Sequence, residues 1–400
     1  MSHHRVAAVC LLLVAFVTAV SAAPPGGPAA TVFVQGLKNP VKLIVTPGHH
    51  VLVSEAGDLP PNFVSHDGRI SIIDRSGNIR TLIGHLPSGL DLENTNPSGP
   101  SAISLQGQKT LFIAFSPGDV PRRNATNQEV PNPKGPSSAL FSSIWRVRFS
   151  EGVDWMSGGF DLNPAIDYAT LADGKTVELT NDLGERAAIE VLADVRDIMP
   201  GGNLIAASNP FGLLAAGDSM YFPDAGYNSV AAVNRLTGRI ETITHFPPVP
   251  NTAPFGPPVS QAVPNSIRGL SRERYALVTL FSGFPFGRGA SSVRLVDLRS
   301  GEQQPLISGL TMAIDALSLG NWTNKLLVLE HASAFVPPGP GGPAQFVSPG
   351  RLLRFATPSS SPEVLVDTLV TPTSMDLDEA TGDLFITEIR TGQIIKVSLY

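Results

Sequence analysis

The sequence predicts an all-β fold, a six-bladed β-propeller in which the N-terminal strand completes the last blade. Two observations carry this prediction. A short strand pattern, TVFVQGL at 31–37, recurs five times along the chain, and each later copy closes a unit of four predicted strands. The first copy stands alone ahead of any unit, whereas the last unit stops at Tyr400 without a copy of its own. A ring closed by the first copy accounts for both irregularities.

Each predicted unit contains four strands, which we name a to d in chain order. Strand a usually opens with proline, whose missing N–H donor is tolerated at a strand start. Strand b is nearly continuously apolar, as expected of a middle strand covered on both faces, whereas strands c and d alternate. The alternative is a β-sandwich of unrelated strands. The ring is favoured because the same four strand patterns recur in the same order in six units. The predicted a strands begin at Pro40, Pro100, Pro210, Pro264, Ile314 and Pro372.

The loops between the strands are unevenly distributed over the predicted propeller, which should be a single domain at 31–400. In propeller geometry the b–c loops and the d–a connections emerge on one face, which we call the loop-rich face. Blade 2 is enlarged by insertions at 116–142 and 150–188, and the second must emerge on the opposite face. Many of the long loops are rich in proline and glycine, and such loops are usually functional or mobile.

The N-terminus has the features of a secretory signal peptide at 1–22. Arg5 precedes an apolar stretch at 6–20 that is too short to span a bilayer comfortably, and small residues follow it. We therefore expect a secreted protein, extracellular or periplasmic if the source is bacterial, with no membrane attachment after cleavage. Cys10, the only cysteine, lies within this segment, so the mature chain should have no disulfide and no thiol-bound metal.

The composition suits a globular β protein with a large core. Hydrophobic residues make up 42% and charged residues 16% of the chain, and its 38 glycines and 36 prolines are typical of many turns. The formal net charge is −6 and no basic run stands out, so we expect no nucleic-acid partner. We also expect a monomeric protein. No GxSxG, HExxH, CxxC or phosphate-loop pattern assigns a catalytic residue.

A column of acidic residues is the best candidate for chemistry. It lies at the end of strand b, where four units place a carboxylate toward the loop-rich face: Glu55, Asp224, Glu330 and Glu388. The start of strand a faces the same mouth and adds Asn209, Asn265 and Asp315. Such oxygen ligands suit a hard cation such as Ca²⁺. The alternative is structural, with each carboxylate capping a turn or pairing with a base such as Lys42 or Arg351. Repetition in several blades favours this alternative.

Two weaker signals accompany the acidic column. His331 follows Glu330 and could act as a base or a ligand, although a lone histidine is more often simply packed. The sequence also contains two potential glycosylation sites, at Asn124 and Asn321, which matter only in a host that glycosylates.

Several segments resemble the ScyD/ScyE family of secreted propellers. NPFGLL at 209–214 and MYFPDAGYNSV at 220–230 resemble the NP(Y/F)GL and LYVADAGAN core of that family. QAVPNS at 261–266, FSGFPFGRGA at 281–290 and LVLEH at 327–331 match it as well. The resemblance covers most of the chain after Val32 and implies an exported, NHL-like six-bladed propeller. The family is associated with gene clusters for the indolic pigment scytonemin, without a firmly assigned reaction, and the long second blade departs from its pattern.

A broader resemblance connects the chain to calcium-dependent gluconolactonase-like and strictosidine-synthase-like propellers. Those proteins use a Glu/Asn/Asn/Asp set in the channel, which implies a calcium site at Glu55, Asn209, Asn265 and Asp315 and a metal-assisted lactonase or esterase. Because no base–nucleophile set is visible, the sequence favours a non-catalytic module instead. Its loop-rich face would bind a small molecule, a glycan or a protein.

Overall fold

The computed structural model describes residues 28–92, 94–124, 129–195, 207–270, 274–320, 322–337 and 345–399. The predicted signal peptide lies outside these ranges. Within them, six antiparallel sheets of four main strands follow one another along the chain, and almost no helix is present. No helix of the described ranges has the length and apolar character needed to cross a membrane. The all-β, six-bladed propeller predicted from the sequence is therefore confirmed.

The strand bounds follow the predicted repeat closely. Blades 1 to 3 comprise Pro40–Val45, Val51–Glu55, Gly68–Ile73 and Ile79–Leu86, then Pro100–Gln106, Thr110–Phe115, Ser143–Phe149 and Arg186–Asp194, then Leu214–Ala216, Ser219–Asp224, Ser229–Asn234 and Ile240–His245. Blades 4 to 6 comprise Pro264–Gly269, Tyr275–Leu280, Ser291–Asp297 and Gln303–Leu310, then Ala313–Ser318, Leu326–Glu330, Gly350–Phe355 and Glu363–Leu369, then Pro372–Asp378, Asp383–Glu388 and Gln393–Ser398. Short two-stranded ribbons in the loops are Gly89–Leu90 with Pro97–Ser98, Pro121–Arg123 with Glu129–Pro131, Val249–Pro250 with Val259–Ser260, and Ala334–Val336 with Gln345–Val347.

The N-terminal strand closes the ring. Ala30–Gln35 pairs antiparallel with Gln393–Ser398 and becomes the outermost strand of blade 6. The backbone N–H of Leu37 then donates to the carbonyl of Gly392 at 3.0 Å. This strand covers what would otherwise be a free sheet edge, and free edges invite pairing with other chains.

The apolar core lies between neighbouring blades. The innermost strands contact one another in sequence around the ring, and that of blade 6 contacts that of blade 1. Six clusters of buried side chains occur in the described ranges, each mainly between two adjacent blades. At the closure, Leu43 and Val53 of blade 1 pack with Val34, Phe385 and Ile394 of blade 6. Burial between blades therefore holds the ring together, as expected for a chain without disulfides.

The second insertion of blade 2 is more ordered than a loop. Phe160–Asp161 adds a parallel fifth strand to blade 1, and Val177–Thr180 adds a fifth strand to blade 2. The only helix in the described ranges, Asp167–Ala172, lies between them. Asp154, earlier in the insertion, accepts a hydrogen bond from the N–H of Gly48 at 2.8 Å, in the a–b turn of blade 1. The insertion thus contacts the face opposite to the loop-rich one.

The first strand of blade 3 is shorter than the sequence predicts. Pro210 makes only an isolated bridge to Asp224, and the continuous strand begins at Leu214. Pro223 lies opposite this gap in strand b and has no N–H to donate to the ladder. The missing N–H of Pro223 accounts for a lost ladder hydrogen bond at this point.

Candidate functional site

The carboxylates at the ends of the b strands bind the backbone of the turn that leads into strand a. Glu55, Glu330 and Glu388 each accept the backbone N–H of the residue two positions before strand a. These three donors are Lys38, Thr311 and Val370. The residue between donor and strand has a left-handed backbone in each case, with φ of 51° at Asn39, 49° at Met312 and 47° at Thr371. Because non-glycine residues rarely adopt this conformation, the carboxylate stabilises a strained turn.

The acids of blades 1 and 5 are also paired with an arginine from strand c. Glu55, fully buried, receives Nε and Nη2 of Arg69 at 2.8 and 2.7 Å, and Ser71 donates to it as well. Arg351 binds Glu330 through one carboxylate oxygen, Oε2, which accepts from Nε at 2.8 Å and from Nη2 at 2.5 Å. The structural interpretation of the column thus has a specific partner for each of these two acids.

Asp224 and Glu388 differ because they have no such arginine among the described residues. Asp224 accepts the N–H of Asn209 at 2.9 Å and the hydroxyl of Ser208 at 2.5 Å. Thr391 donates to Glu388 at 2.8 Å. Burial raises the pKa of both carboxyls, although these hydrogen bonds oppose the shift.

Asp315 occupies a different place from the one predicted. Strand a of blade 5 starts at Ala313, which pairs with Glu330 as Pro40 pairs with Glu55, so the predicted start at Ile314 is one residue late. Asp315 therefore corresponds to Lys42 of blade 1. It lines a cavity in the central channel that opens between the a–b turns, away from the loop-rich face. A one-residue offset is enough to change which neighbours a strand residue meets.

The four residues of the expected calcium set have separate surroundings. Glu55 and Asp315 are each bound by an arginine, whereas the side-chain oxygen of Asn209 is buried without a hydrogen-bond partner among the described residues. The backbone carbonyl of Asn265 lies 3.4 Å from the Lys42 ammonium. Within the described residues no group of three or more His, Cys, Asp or Glu side chains is placed to hold a metal ion. A calcium site at these four positions stays a prediction.

The ion pair of Asp315 predicts a pH dependence of stability. Burial alone would raise the pKa of this carboxyl, but Arg268 and Lys42 outweigh it and lower the pKa to about 2. Because the pKa is depressed in the folded state, the stabilisation is present above pH 4 and is lost as the pH falls toward 2. The loss should be about 2 kcal/mol. We expect the difference in unfolding free energy between wild type and Asp315→Asn to shrink across this range, measured by urea titration. A difference independent of pH would contradict the assignment.

Five phenylalanines and one histidine form a cluster on the loop-rich face, which we call the aromatic patch. Phe286 is at its centre, with ring centroids 4.8 Å from Phe335 and 5.2 Å from Phe346. Phe281 and Phe284 complete the phenylalanines, and His331 packs edge-on against Phe346 at 5.1 Å. Phe284 is 47% exposed, whereas the others are half-buried or buried. Phe284 therefore presents one exposed ring beside a half-buried aromatic floor, an arrangement that suits a flat apolar group.

The patch is built by the b–c loops of blades 4 and 5. In blade 4 the loop turns at Gly283, whose carbonyl accepts the N–H of Phe286 at 2.8 Å. In blade 5 the ribbon of Ala334–Val336 with Gln345–Val347 presents one phenylalanine on each strand. The two loops are tied together by Arg288, whose Nε donates to the carbonyl of Ser333 at 3.0 Å. The rings are therefore held in place by backbone contacts before any ligand arrives.

His331 contributes an uncharged ring to the patch. Its Nδ1 lies 2.8 Å from the carbonyl of Pro372, so Nδ1 carries the proton and donates it. Burial lowers the pKa of His331 to about 4, with the Pro372 carbonyl acting against the shift and Arg390 adding to it. The imidazole is thus neutral near pH 7, with Nε2 left as an acceptor. The sequence pointed to His331 but not to the phenylalanines around it.

The two potential glycosylation sites differ in what the structure describes. Asn124 is exposed in the b–c insertion of blade 2. Asn321 lies outside the described residues.

Solved structures similar to this chain include the three that follow. One is a putative oxidoreductase (glucose dehydrogenase) from Thermus thermophilus, with 12% identity over 93% of this chain and 100% of that one, and a TM-score of 0.47. A putative 6-phosphogluconolactonase from Bacteroides uniformis has 10% identity over 88% and 79%, and a TM-score of 0.43. The β-propeller domain of Cps50 (Swd1) from Myceliophteria thermophila has 11% identity over 91% and 98%, and a TM-score of 0.43.

These likenesses carry no argument about function at such identities and TM-scores. No protein-family model matches the sequence, and no curated protein matches it.

Proposed function

We propose that this protein is a secreted binding module whose aromatic patch holds a small molecule with a flat apolar body. The observation that carries the proposal is the convergence of five phenylalanines and a neutral histidine from the loops of two adjacent blades. FSGFPFGRGA, the segment that supplies three of these rings, is also part of the resemblance to the ScyD/ScyE family. The association of that family with an indolic pigment supports an aromatic ligand.

The chemistry of the patch suits such a ligand. Aromatic pairs in edge-to-face or offset geometry contribute about 0.5–1.5 kcal/mol each beyond the burial of their area. Phe284 offers an exposed ring, while Phe286, Phe335 and Phe346 supply a half-buried floor that is already packed. Little conformational entropy remains to be lost on binding, which favours affinity. The Nε2 of His331 is an acceptor for an N–H or O–H of the ligand.

Binding is favoured over hydrolysis by the state of the strand-end acids. The carboxylates of Glu55 and Glu330 already accept hydrogen bonds from an arginine and from a backbone N–H. Neither is therefore free to act as a general base or to coordinate a metal. His331 donates Nδ1–H to a backbone carbonyl, and not to a carboxylate that would orient it as a catalytic base.

Replacement of Phe284 by alanine should weaken binding of an aromatic probe. The probe is 8-anilinonaphthalene-1-sulfonate, whose fluorescence rises when it enters an apolar site. We expect the Phe284→Ala variant to bind it about tenfold more weakly, because one exposed stacking ring is lost. The free energy of unfolding should fall by about 1 kcal/mol, since roughly half of the ring is buried against its neighbours.

Leu236→Ala is the matched control for this experiment. Leu236 is an apolar residue that is 82% exposed, and it lies in the c–d turn of blade 3, on the face opposite to the patch. Its removal should leave the affinity for the probe unchanged. Equal affinities of the two variants, or an effect only of Leu236→Ala, would show that the patch is not the binding site.

A further inference from the structure

The central channel contains a second cavity, separate from the aromatic patch. It has a volume of about 670 Å³ and is lined by the innermost strands and by the a–b turns, so it opens on the opposite face. Its wall includes apolar side chains from all six blades, among them Ile44, Leu105, Leu214 and Leu317. A volume of this size is typical of pockets for small organic ligands.

Three of the four charged groups deep in this channel satisfy one another. Arg268 donates Nη2 to Asp315 at 2.8 Å and Nη1 to Asp376 at 3.2 Å. Asp315 also accepts the N–H of Met375 at 3.1 Å, and Asp376 accepts that of Val45 at 2.8 Å. The carboxylates of Asp315 and Asp376 thus accept hydrogen bonds from the same guanidinium and from backbone N–H groups.

The fourth group, the ammonium of Lys42, is buried but forms no ion pair with a carboxylate of the described residues. Lys42 is only 6% exposed and lines the cavity. Its Nζ lies 3.4 Å from the carbonyl of Asn265 and 5.0 Å from the ring centroid of Phe211. No carboxylate of the described residues lies within 4.0 Å of it, although Asp315 acts on it at longer range. Two of its three N–H donors thus have no acceptor within this part of the chain.

The physical cost of this arrangement points to a missing partner. A buried ion is normally paired and hydrogen-bonded, because desolvation costs several kcal/mol per ion. Burial lowers the pKa of Lys42 to about 8, with Asp315 acting against the shift and Arg268 adding to it. A carboxylate entering the channel would supply the acceptors that these N–H donors lack, together with a negative charge in direct contact with the ammonium.

We propose that the channel is a binding site for a small organic carboxylate with an apolar body, anchored by Lys42. The carboxylate lies against Nζ and accepts its two free N–H donors, and the apolar body lies along the leucine and isoleucine wall. The rim of the opening carries His49 paired with Asp378 at 2.9 Å, and the exposed Glu379. Glu379 is exposed and screened by solvent, and Asp378 is buried but paired with His49, so neither rim acid presents an unscreened charge to a single carboxylate.

The test compares charged and uncharged probes of the same shape. Phenylacetate and hexanoate are the charged probes, and 2-phenylethanol is the uncharged one, each added at about 10 mM to the full chain in thermal melting and calorimetry. We expect the two carboxylates to raise the melting temperature and to bind measurably, and the alcohol to do neither. If neither carboxylate binds, or if the alcohol binds as well as phenylacetate, the proposal is wrong.

Two variants separate an anchoring role of Lys42 from a purely structural one. Lys42→Met removes the ammonium but keeps the chain length, so carboxylate binding should fall by about tenfold or more. Without ligand, its melting temperature should change by only a few degrees, because the lost attraction to Asp315 is offset by the removal of a buried charge. Lys42→Arg should retain carboxylate binding.

A large loss of stability in ligand-free Lys42→Met would overturn the proposal, since it would show that Lys42 serves as a counter-charge for Asp315. Phe284→Ala should leave carboxylate binding unchanged. This outcome would separate the channel from the aromatic patch, so that failure at one site does not decide the other.

Discussion

Replacing Glu55 by alanine should lower the free energy of unfolding by about 3–5 kcal/mol, because it leaves a buried charge without its partner. Glu55 is fully buried and holds Arg69 by two contacts, Ser71 by one and the N–H of Lys38 by another. The substitution therefore removes an ion pair and releases the turn at Asn39 at the same time. Guanidinium chloride unfolding, followed by fluorescence, measures the loss.

Two controls decide what the loss means. Glu379→Ala removes an exposed acid and should change stability by no more than about 0.5 kcal/mol. The Glu55→Ala measurement is then repeated with EDTA and with Ca²⁺. We expect the same loss in both, as a structural role requires. A loss that appears only with Ca²⁺ would instead identify Glu55 as a metal ligand.

The acidic column shows what the sequence could and could not predict. The position of Glu55 and Glu330 at the end of strand b follows from the repeat, so the column itself was visible. Their partners were harder to find, because Arg69 and Arg351 lie 14 and 21 residues further along the chain, beyond b–c loops of different length. A repeat predicts the position of a residue within its blade. The length of the b–c loop determines how far along the chain its partner lies.

The channel and the aromatic patch were missed for two different reasons. For the channel, the prediction placed the start of strand a of blade 5 one residue too late, because this strand begins at Ala313 and lacks the usual proline. The predicted position of Asp315 was therefore wrong. The patch draws on loops that have no periodicity, so that Phe281 and Phe346 meet although 65 positions separate them. Loop geometry depends on specific turns and contacts, and single-sequence patterns do not contain it.

Ring closure by the N-terminal strand was predicted from the first copy of the recurring strand pattern, which precedes any unit, and from the missing copy in the last unit. The closure in turn predicts a large effect of one substitution. Val34 is 6% exposed and packs with Leu37, Phe385 and Ile394 at the junction of blades 6 and 1. Val34→Asp would place a charge in this apolar cluster, so we expect a loss of about 3–5 kcal/mol in the free energy of unfolding. Denaturant unfolding measures the loss, and light scattering should detect aggregation through the freed edge of Gln393–Ser398.

Val32→Asp is the matched control on the same strand. A regular strand would place Val32 and Val34 on one face, but the register with the last strand shifts between them, and Val32 is 52% exposed. Its replacement should cost no more than about 0.5 kcal/mol, because the aspartate stays in solvent. Equal losses for both substitutions would mean that strand pairing alone, and not burial of Val34 between the blades, closes the ring. Small losses for both would mean that the propeller is stable without its N-terminal strand.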